Sequence, residues 1–197
     1  MPIMQNPSTA VLILAAGASV RLGRPKQSLL YQGQTLVQKI VSTALALQSG
    51  PVLLVLKEGD SMDVQEDVIK IYNPDAALGM ATSIHSGIRH LETQHPDIET
   101  VIITVCDQPF ITSSLLQEMI IHYRETKLSI VACKYDDIVG TPVLFHKTMF
   151  KALYGLNGDK GAKQLINQHI QQVGLINFPL GNIDVDTEED YERLIKL

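Results

Sequence analysis

Val11-Leu-Ile-Leu-Ala-Ala-Gly-Ala-Ser-Val-Arg-Leu-Gly-Arg-Pro-Lys-Gln27 is the stretch that decides the fold of this chain. Its apolar opening, Ala10 to Leu14, is too short for a helix and ends in small residues and glycine, which marks a buried strand. The loop beyond it holds Gly17, Ser19, Arg21, Gly23 and Lys26. Glycines let backbone N–H groups come close to an anion, and Arg21, Arg24 and Lys26 place three cations within six residues. That combination suits a triphosphate better than a carboxylate or a sugar hydroxyl.

Working outward, the pattern repeats. Strand-like apolar runs occur at Ala10–Leu14, Pro51–Leu56, Val68–Tyr72, Val101–Val105, Leu128–Cys133 and Val173–Phe178. Between them, helical spacing is found over Thr35–Leu47, Met80–Leu91 and Thr112–Tyr123, the last opened by Thr112 or Ser113 as N-cap. Gly161–His169 and Thr187–Ile195 read as helices too, Thr187 with Asp190 three positions on resembling a capping box. Alternating strands and helices predict a three-layer α/β domain with a mostly parallel sheet. Neither a repeat nor a linker divides the chain, so residues 1–197 are read as one domain. In such sheets ligands gather beyond the carboxyl ends of the strands, where Gly17 to Lys26 and Asp107-Gln108-Pro109 both fall.

Composition narrows the partners. The 197 residues are 45% hydrophobic and 19% charged, ample for a sizeable core, and the net charge is −5. An acidic chain is a poor general binder of nucleic acid or anionic membranes, so cations gathered at 21–26 indicate a local anion site. Met1-Pro-Ile-Met-Gln-Asn-Pro7 has no basic leader, and Ala10–Ala16 is too short to span a bilayer. Cys106 and Cys133 lie in apolar runs and read as buried free thiols of a reduced, cytoplasmic protein.

Several residues carry the chemistry. The opening loop has neither the G-x-G-x-x-G spacing of dinucleotide folds nor the Gly-Lys-Ser/Thr of a Walker loop, which argues against hydride transfer and P-loop hydrolysis. Asp107, at the mouth of a buried strand, suits Mg²⁺, an ion that takes one or two carboxylates plus phosphate oxygens. Its other reading, a cap for the next helix, is weakened because Thr112 and Ser113 already offer one. Asp184 and Asp186 alternate in Asn182-Ile-Asp-Val-Asp-Thr187, so in an extended segment both face one side; the competing role is capping by Asp186 or Thr187. Gly79 opens a helix whose N–H groups suit a base or phosphate, or else marks a plain loop-to-helix junction. The six histidines show no metal-ligand spacing, and no Ser/His/Asp or Cys/His arrangement is present.

Leu14-Ala15-Ala16-Gly17-x-Ser19-x-Arg21-x-Gly23-x-x-Lys26 resembles the opening motif of the MobA-like nucleotidyltransferases, and within them the molybdenum cofactor cytidylyltransferases of MocA type. Asp107-Gln108-Pro109 resembles the family's metal-binding triplet, and the segment around Asp186 its Asp-x-Asp-Thr-x-Glu-Asp ending. The resemblance runs from about residue 10 to residue 195. It implies a Rossmann-like nucleotidyltransferase fold and a nucleotide site formed by Leu14, Ala15, Ala16, Gly17, Ser19, Arg21, Lys26, Gly79, Ser83 and Asp107. Asn73-Pro74 and Gly79-Met80-x-x-Ser83 match the segment that shapes the nucleotide pocket. Mg²⁺, with Mn²⁺ as the alternative, is implied on Asp107 and Asp186, with Asp184 beside them. The acceptor side is implied at Gln108, Pro109, Gly140, Pro142, Asp159 and Lys160, although Lys160 also fits a surface turn. The implied catalytic residues are Arg21, Lys26 and Asp107, and the implied reaction is transfer of CMP from CTP to the phosphate of molybdopterin. Ala16 stands where guanylyl-type relatives carry glycine, which favours CTP over GTP. Guanylyl transfer, transfer to another phosphorylated acceptor, and a non-catalytic partner handing cofactor to a molybdenum hydroxylase are the other readings.

Overall fold

Strand β1 (Thr9–Leu14) is buried along its whole length. The computed structural model, which describes residues 8–159 and 161–197, puts it third in a seven-stranded sheet, with strands on both sides. Burial on both faces explains an apolar run without alternation, as expected of parallel strands covered by helices. β1 pairs in parallel with β4 (Val52–Lys57) on one side and β6 (Thr100–Val105) on the other, and β5 (Ile69–Asn73) continues beyond β4. Beyond β6 come β8 (Ile138–His146), β7 (Ile130–Tyr135) and β9 (Val173–Asn177), so the order is β5-β4-β1-β6-β8-β7-β9. β8 is antiparallel to both neighbours while β7 and β9 pair in parallel, so every strand of this sheet but β8 runs the same way. The mostly parallel mixed sheet predicted from sequence is what forms.

Side chains alternate across β1. Val11 and Ile13 join a core with α1 (Leu36–Ala46) and α3 (Ser113–Thr126), while Ala10, Leu12 and Leu14 face α2 (Met80–Gln94), α4 (Phe150–Tyr154) and α5 (Ala162–Gln168). Each fully buried Leu or Ile contributes about 1.5–3 kcal/mol. The short hairpin of β2 (Leu30–Tyr31) and β3 (Gln34–Thr35) delivers Thr35 as N-cap of α1, with a capping box to Gln38. Thr112, not Ser113, caps α3 through the Leu115 N–H. Thr187 and Asp190 complete the capping box of α6 (Glu188–Leu194). A third, smaller cluster of Leu22, Leu29, Tyr31, Leu36, Val185 and Leu194 fastens the loop after β1 to α6.

The two-residue strands β2 and β3 are absent from the sequence reading, and two further elements depart from it. α4 is a short helix absent from it, and β8 occupies a stretch read there only as an acceptor-side segment. Gly140 and Pro142 disguise β8, because proline donates no ladder hydrogen bond. The strand admits them at a break in register: Ala132 faces Val143 but Cys133 faces Gly140, leaving Thr141 and Pro142 bulged out of the β7 ladder.

The connection out of β1 leads to β4 on one flank, and the chain later returns to β6 on the other. The reversal leaves a crevice at the carboxyl ends of β1 and β6. Among the described residues, no helix is long and apolar enough to cross a membrane.

Candidate active site

Beyond β1 the chain stays buried through Ala15 and Ala16, with the Ala15 N–H donating to the Val55 carbonyl at 2.9 Å, and surfaces at Gly17. Ser19 adopts a left-handed φ of 49° and turns the loop. Its carbonyl accepts from Leu22 and Gly23 N–H at 3.2 and 3.0 Å, and its hydroxyl accepts from the Lys26 N–H at 3.1 Å. Ser19 thus fixes the loop and, through it, Lys26. Buried Leu22 anchors the turn in the third cluster.

Lys26 joins what the chain keeps far apart. Its Nζ donates to Asp107 Oδ2 at 2.6 Å and to Asp186 Oδ1 at 2.7 Å, with only 14% of the side chain exposed. Burial opposes the ammonium charge, but Asp107 and Asp186 outweigh it and hold its pKa well above the ordinary lysine value. At Asp186 burial acts against ionisation, yet hydrogen bonds and charge from Lys26, then Arg21, hold its carboxyl below the usual carboxylate range. Arg21 Nη2 donates to Asp186 Oδ2 at 2.5 Å, but Arg21 is 70% exposed, so this pair contributes little stability and the guanidinium can turn toward a ligand. Asp184 shows the opposite effect: partial burial, then the like charges of Asp107 and Asp186, raise its carboxyl.

Asp107 stands two residues past the end of β6, and its carbonyl accepts from the Val185 N–H at 3.1 Å. Val185 is fully buried, which leaves its flanking residues, Asp184 and Asp186, on the side away from that cluster.

Lys26 and Asp107 border a cleft of about 370 Å³ lined also by Leu14 to Ala18, Gln27, Gly79, Met80, Ser83 and Asp159, among others, while Ser19, Arg21, Asp184 and Asp186 stand outside its lining. A Cβ at Gly17 would meet no protein atom within 4 Å, so packing does not demand glycine there; the space belongs to the cleft. Gly79 is different. Its φ is 111°, and a Cβ would lie 2.3 Å from the Gly158 carbonyl carbon, so only glycine fits where α2 starts. The Gly158 carbonyl accepts from the Ala81 N–H at 3.0 Å, which uses one of the helix's free donors. Buried Asn73 donates its side-chain amide to Ser83 Oγ at 3.0 Å and Thr82 Oγ1 at 2.9 Å, locking the cleft wall.

The structure therefore brings Leu14, Ala15, Ala16, Gly17, Lys26, Gly79, Ser83, Asp107 and Asp159 onto one cleft, with Asp186 joined through Lys26. Pro109, Gly140 and Pro142 are buried outside its lining, and Gln108 is only 5% exposed, both ends of its amide bonded internally. Lys160 lies outside the described residues. Sequence reasoning missed Gln27 and Cys106 as lining residues, along with Ala18, Val20, Ala76, Ala77 and Val105, whereas Met80 falls in the segment it matched to the nucleotide pocket. Cys106 read as a buried thiol, and burial pushes it up to about 12, yet nothing periodic marks it or Gln27 as wall.

The donor set fits a divalent cation. Asp107 and Asp186 already share one positive group, the Lys26 ammonium, and Mg²⁺ characteristically takes one or two carboxylates with water and phosphate oxygens. Among the described residues no three His, Cys, Asp or Glu side chains are grouped to hold a metal.

A family model described as "MobA-like NTP transferase domain" matches residues 11–173. The chain is 28% identical to nicotine blue oxidoreductase of Paenarthrobacter nicotinovorans, over 96% of this chain and 97% of that protein. It is 24% identical to the molybdenum cofactor cytidylyltransferase of Escherichia coli, over 91% and 92%. Its fold is similar to the crystal structure of a Mycobacterium tuberculosis Rv0371c homolog from Mycobacterium sp. strain JC1, with TM-score 0.83 and 29% identity over 97% and 96% of the chains. It is also similar to Rv0371c of M. tuberculosis in complex with manganese, with TM-score 0.73 and 27% identity over 96% and 98%.

Proposed function

Because the chain belongs to the family of MobA-like NTP transferase domains, we propose that it transfers CMP from CTP to the terminal phosphate of molybdopterin carrying molybdenum. The bond between the α-phosphorus and the α,β-bridging oxygen breaks, the acceptor oxygen bonds to that phosphorus, and pyrophosphate leaves. The observation that carries this reading is Lys26 Nζ bridging Asp107 and Asp186 at 2.6 and 2.7 Å beside the Leu14–Gly17 wall. A half-buried cation with two carboxylates opposite it suits a metal-assisted attack on a triphosphate. The Ala15-Ala16 pair in the cleft wall supports cytosine as the base.

An acceptor phosphate is already ionised near neutral pH, so no protein base is needed and catalysis reduces to positioning and charge neutralisation. Lys26 offsets charge growing on the α-phosphate, and exposed Arg21 turns to the departing β and γ oxygens. Asp107 and Asp186, with Asp184, are the residues to hold Mg²⁺ or Mn²⁺, which supplies Lewis-acid neutralisation of the phosphate oxygens when bound. Manganese in the complex of the Rv0371c relative supports a divalent cation as the ion involved. Gly17 leaves the room a nucleotide needs, and Ser19 holds Lys26 in place.

The test is pyrophosphate release with CTP and with GTP, each with and without molybdopterin. Release only with CTP and molybdopterin together is the expected result. Release only with GTP overturns the choice of base. No release under any condition overturns nucleotidyl transfer and turns attention to the oxidoreductase named among the relatives or to a carrier for a molybdenum hydroxylase.

A further inference from the structure

Gln108 sits beside Asp107 but does not face the cleft. It is 5% exposed, its Nε2 donates to the Gly181 carbonyl at 2.8 Å, and its Oε1 accepts from the Thr141 hydroxyl at 3.0 Å. Those two partners come from unrelated parts of the chain. Thr141 reaches Gln108 from the break in the β7–β8 ladder, and Gly181 lies in the 3-10 turn Pro179–Asn182 that leads into Asp184 and Asp186.

We propose that Gln108 is a positioning residue for the second carboxylate. Together with its neighbour's backbone it grips the segment at two points: its side chain holds the Gly181 carbonyl, and the Asp107 carbonyl holds the Val185 N–H at 3.1 Å. Asp186, next in the chain, is thereby held so that one Lys26 ammonium reaches both it and Asp107. Thr141 keeps the amide oriented with its N–H₂ toward Gly181, since its hydroxyl can donate to the oxygen end. The turn has little freedom to compensate: a Cβ on Gly181 would lie 2.4 Å from the Tyr135 ring and 2.6 Å from Phe178. Residues that orient metal ligands without touching the metal typically change its affinity by about 10–100-fold when removed.

This role rests on the reading of Asp107 and Asp186 as metal carboxylates, but not on the identity of base or acceptor. Its test is therefore Mn²⁺ titration of the whole chain, followed by electron paramagnetic resonance, with no nucleotide present. Gln108→Leu keeps the volume and removes both hydrogen bonds; Mn²⁺ affinity is expected to fall about tenfold or more. Nucleotide affinity measured in EDTA should stay within about twofold, a split that general loosening of the fold does not produce. Thr141→Val leaves the amide in place but unoriented, and its smaller loss of Mn²⁺ affinity should keep the melting temperature near that of the unaltered protein. Unchanged Mn²⁺ affinity in Gln108→Leu overturns the proposal, as does a joint loss of metal, EDTA-measured nucleotide binding and melting temperature in both variants. An unaltered protein that takes up no Mn²⁺ overturns the carboxylate reading beneath it. CTP proving not to be the substrate leaves the Mn²⁺ result as decisive as before.

Discussion

Lys26→Met removes one charge and little volume, and its consequences can be worked out separately for rate and stability. The ammonium lies 2.6 Å from Asp107 and 2.7 Å from Asp186, with side chains 14, 18 and 25% exposed. An exposed pair contributes about 0–1 kcal/mol, and breaking a buried one costs about 3–5 kcal/mol. This bridge lies between those limits, so about 2 kcal/mol of stability is at stake at neutral pH. For a domain of this size that is a fall of about 4–8 °C in melting temperature. The pH dependence is the sharper signature. Lys26 is raised in the folded protein, so its share is complete below its ordinary value of 10.5 and is lost as pH rises through the folded value. Asp186 is depressed, so its share is present above its ordinary value of 3.8 and is lost as pH falls through the folded value. The gap between the two proteins should be widest from about pH 5 to pH 10 and narrow toward both ends. Calorimetry carried from about pH 3 to about pH 11 reads the plateau and the narrowing at its ends. Turnover, followed by pyrophosphate release, should drop about a hundredfold or more, as when one charge contact to a transition state is lost. A variant with near-normal turnover, or a stability gap independent of pH, would refute the role given to Lys26.

Asp107→Asn should be folded but at least about a hundredfold slower; a melting temperature lowered by more than about 10 °C would show that its role is structural instead, since 1 kcal/mol moves a domain of this size by about 2–4 °C. Gly79→Ala should lose several degrees in melting temperature and weaken nucleotide binding, because its Cβ meets the Gly158 carbonyl carbon at 2.3 Å in a conformation that side chains rarely adopt; equal stability would mean that the 158–159 turn gives way freely. Cys106 and Cys133 are buried and burial holds both thiols up at about 12, so an aromatic disulfide reagent at pH 8 should label neither until the protein is unfolded. Rapid labelling of the native protein would show that the cleft floor opens.

How much of this was legible in the sequence depends on whether a signal is local. β1, β4 and β6 announce themselves because a strand buried on both faces needs an unbroken apolar run, and their boundaries fall within a residue or two of the reading. β8 does not, because Gly140 and Pro142 are turn residues everywhere except at a break in register, and that break depends on which strand lies alongside. The candidate site follows the same rule. Lys26, Asp107 and Asp186 each stand out by local context, but their meeting spans 81 and 160 positions and only the fold brings it about. The family resemblance implies the acceptor side for Gln108. Its burial and two internal hydrogen bonds arise from β8 and the 179–182 turn, neither of which leaves a mark at position 108.

The fastening of the first loop to the last helix has a consequence for synthesis. Arg21 meets Asp186, Arg24 meets Glu188, the Tyr191 hydroxyl donates to the Leu30 carbonyl, and Val185 and Leu194 complete the cluster that seats Leu22. A nascent chain that has not yet released residues 184–194 can lay down the central strands and fill most of both main cores. It still lacks one carboxylate of the site and the apolar cover over the loop that carries Lys26. The proposed site therefore stays incomplete until residues 184–194 have been released, and a chain cut before Asp184 lacks both Asp186 and that cover.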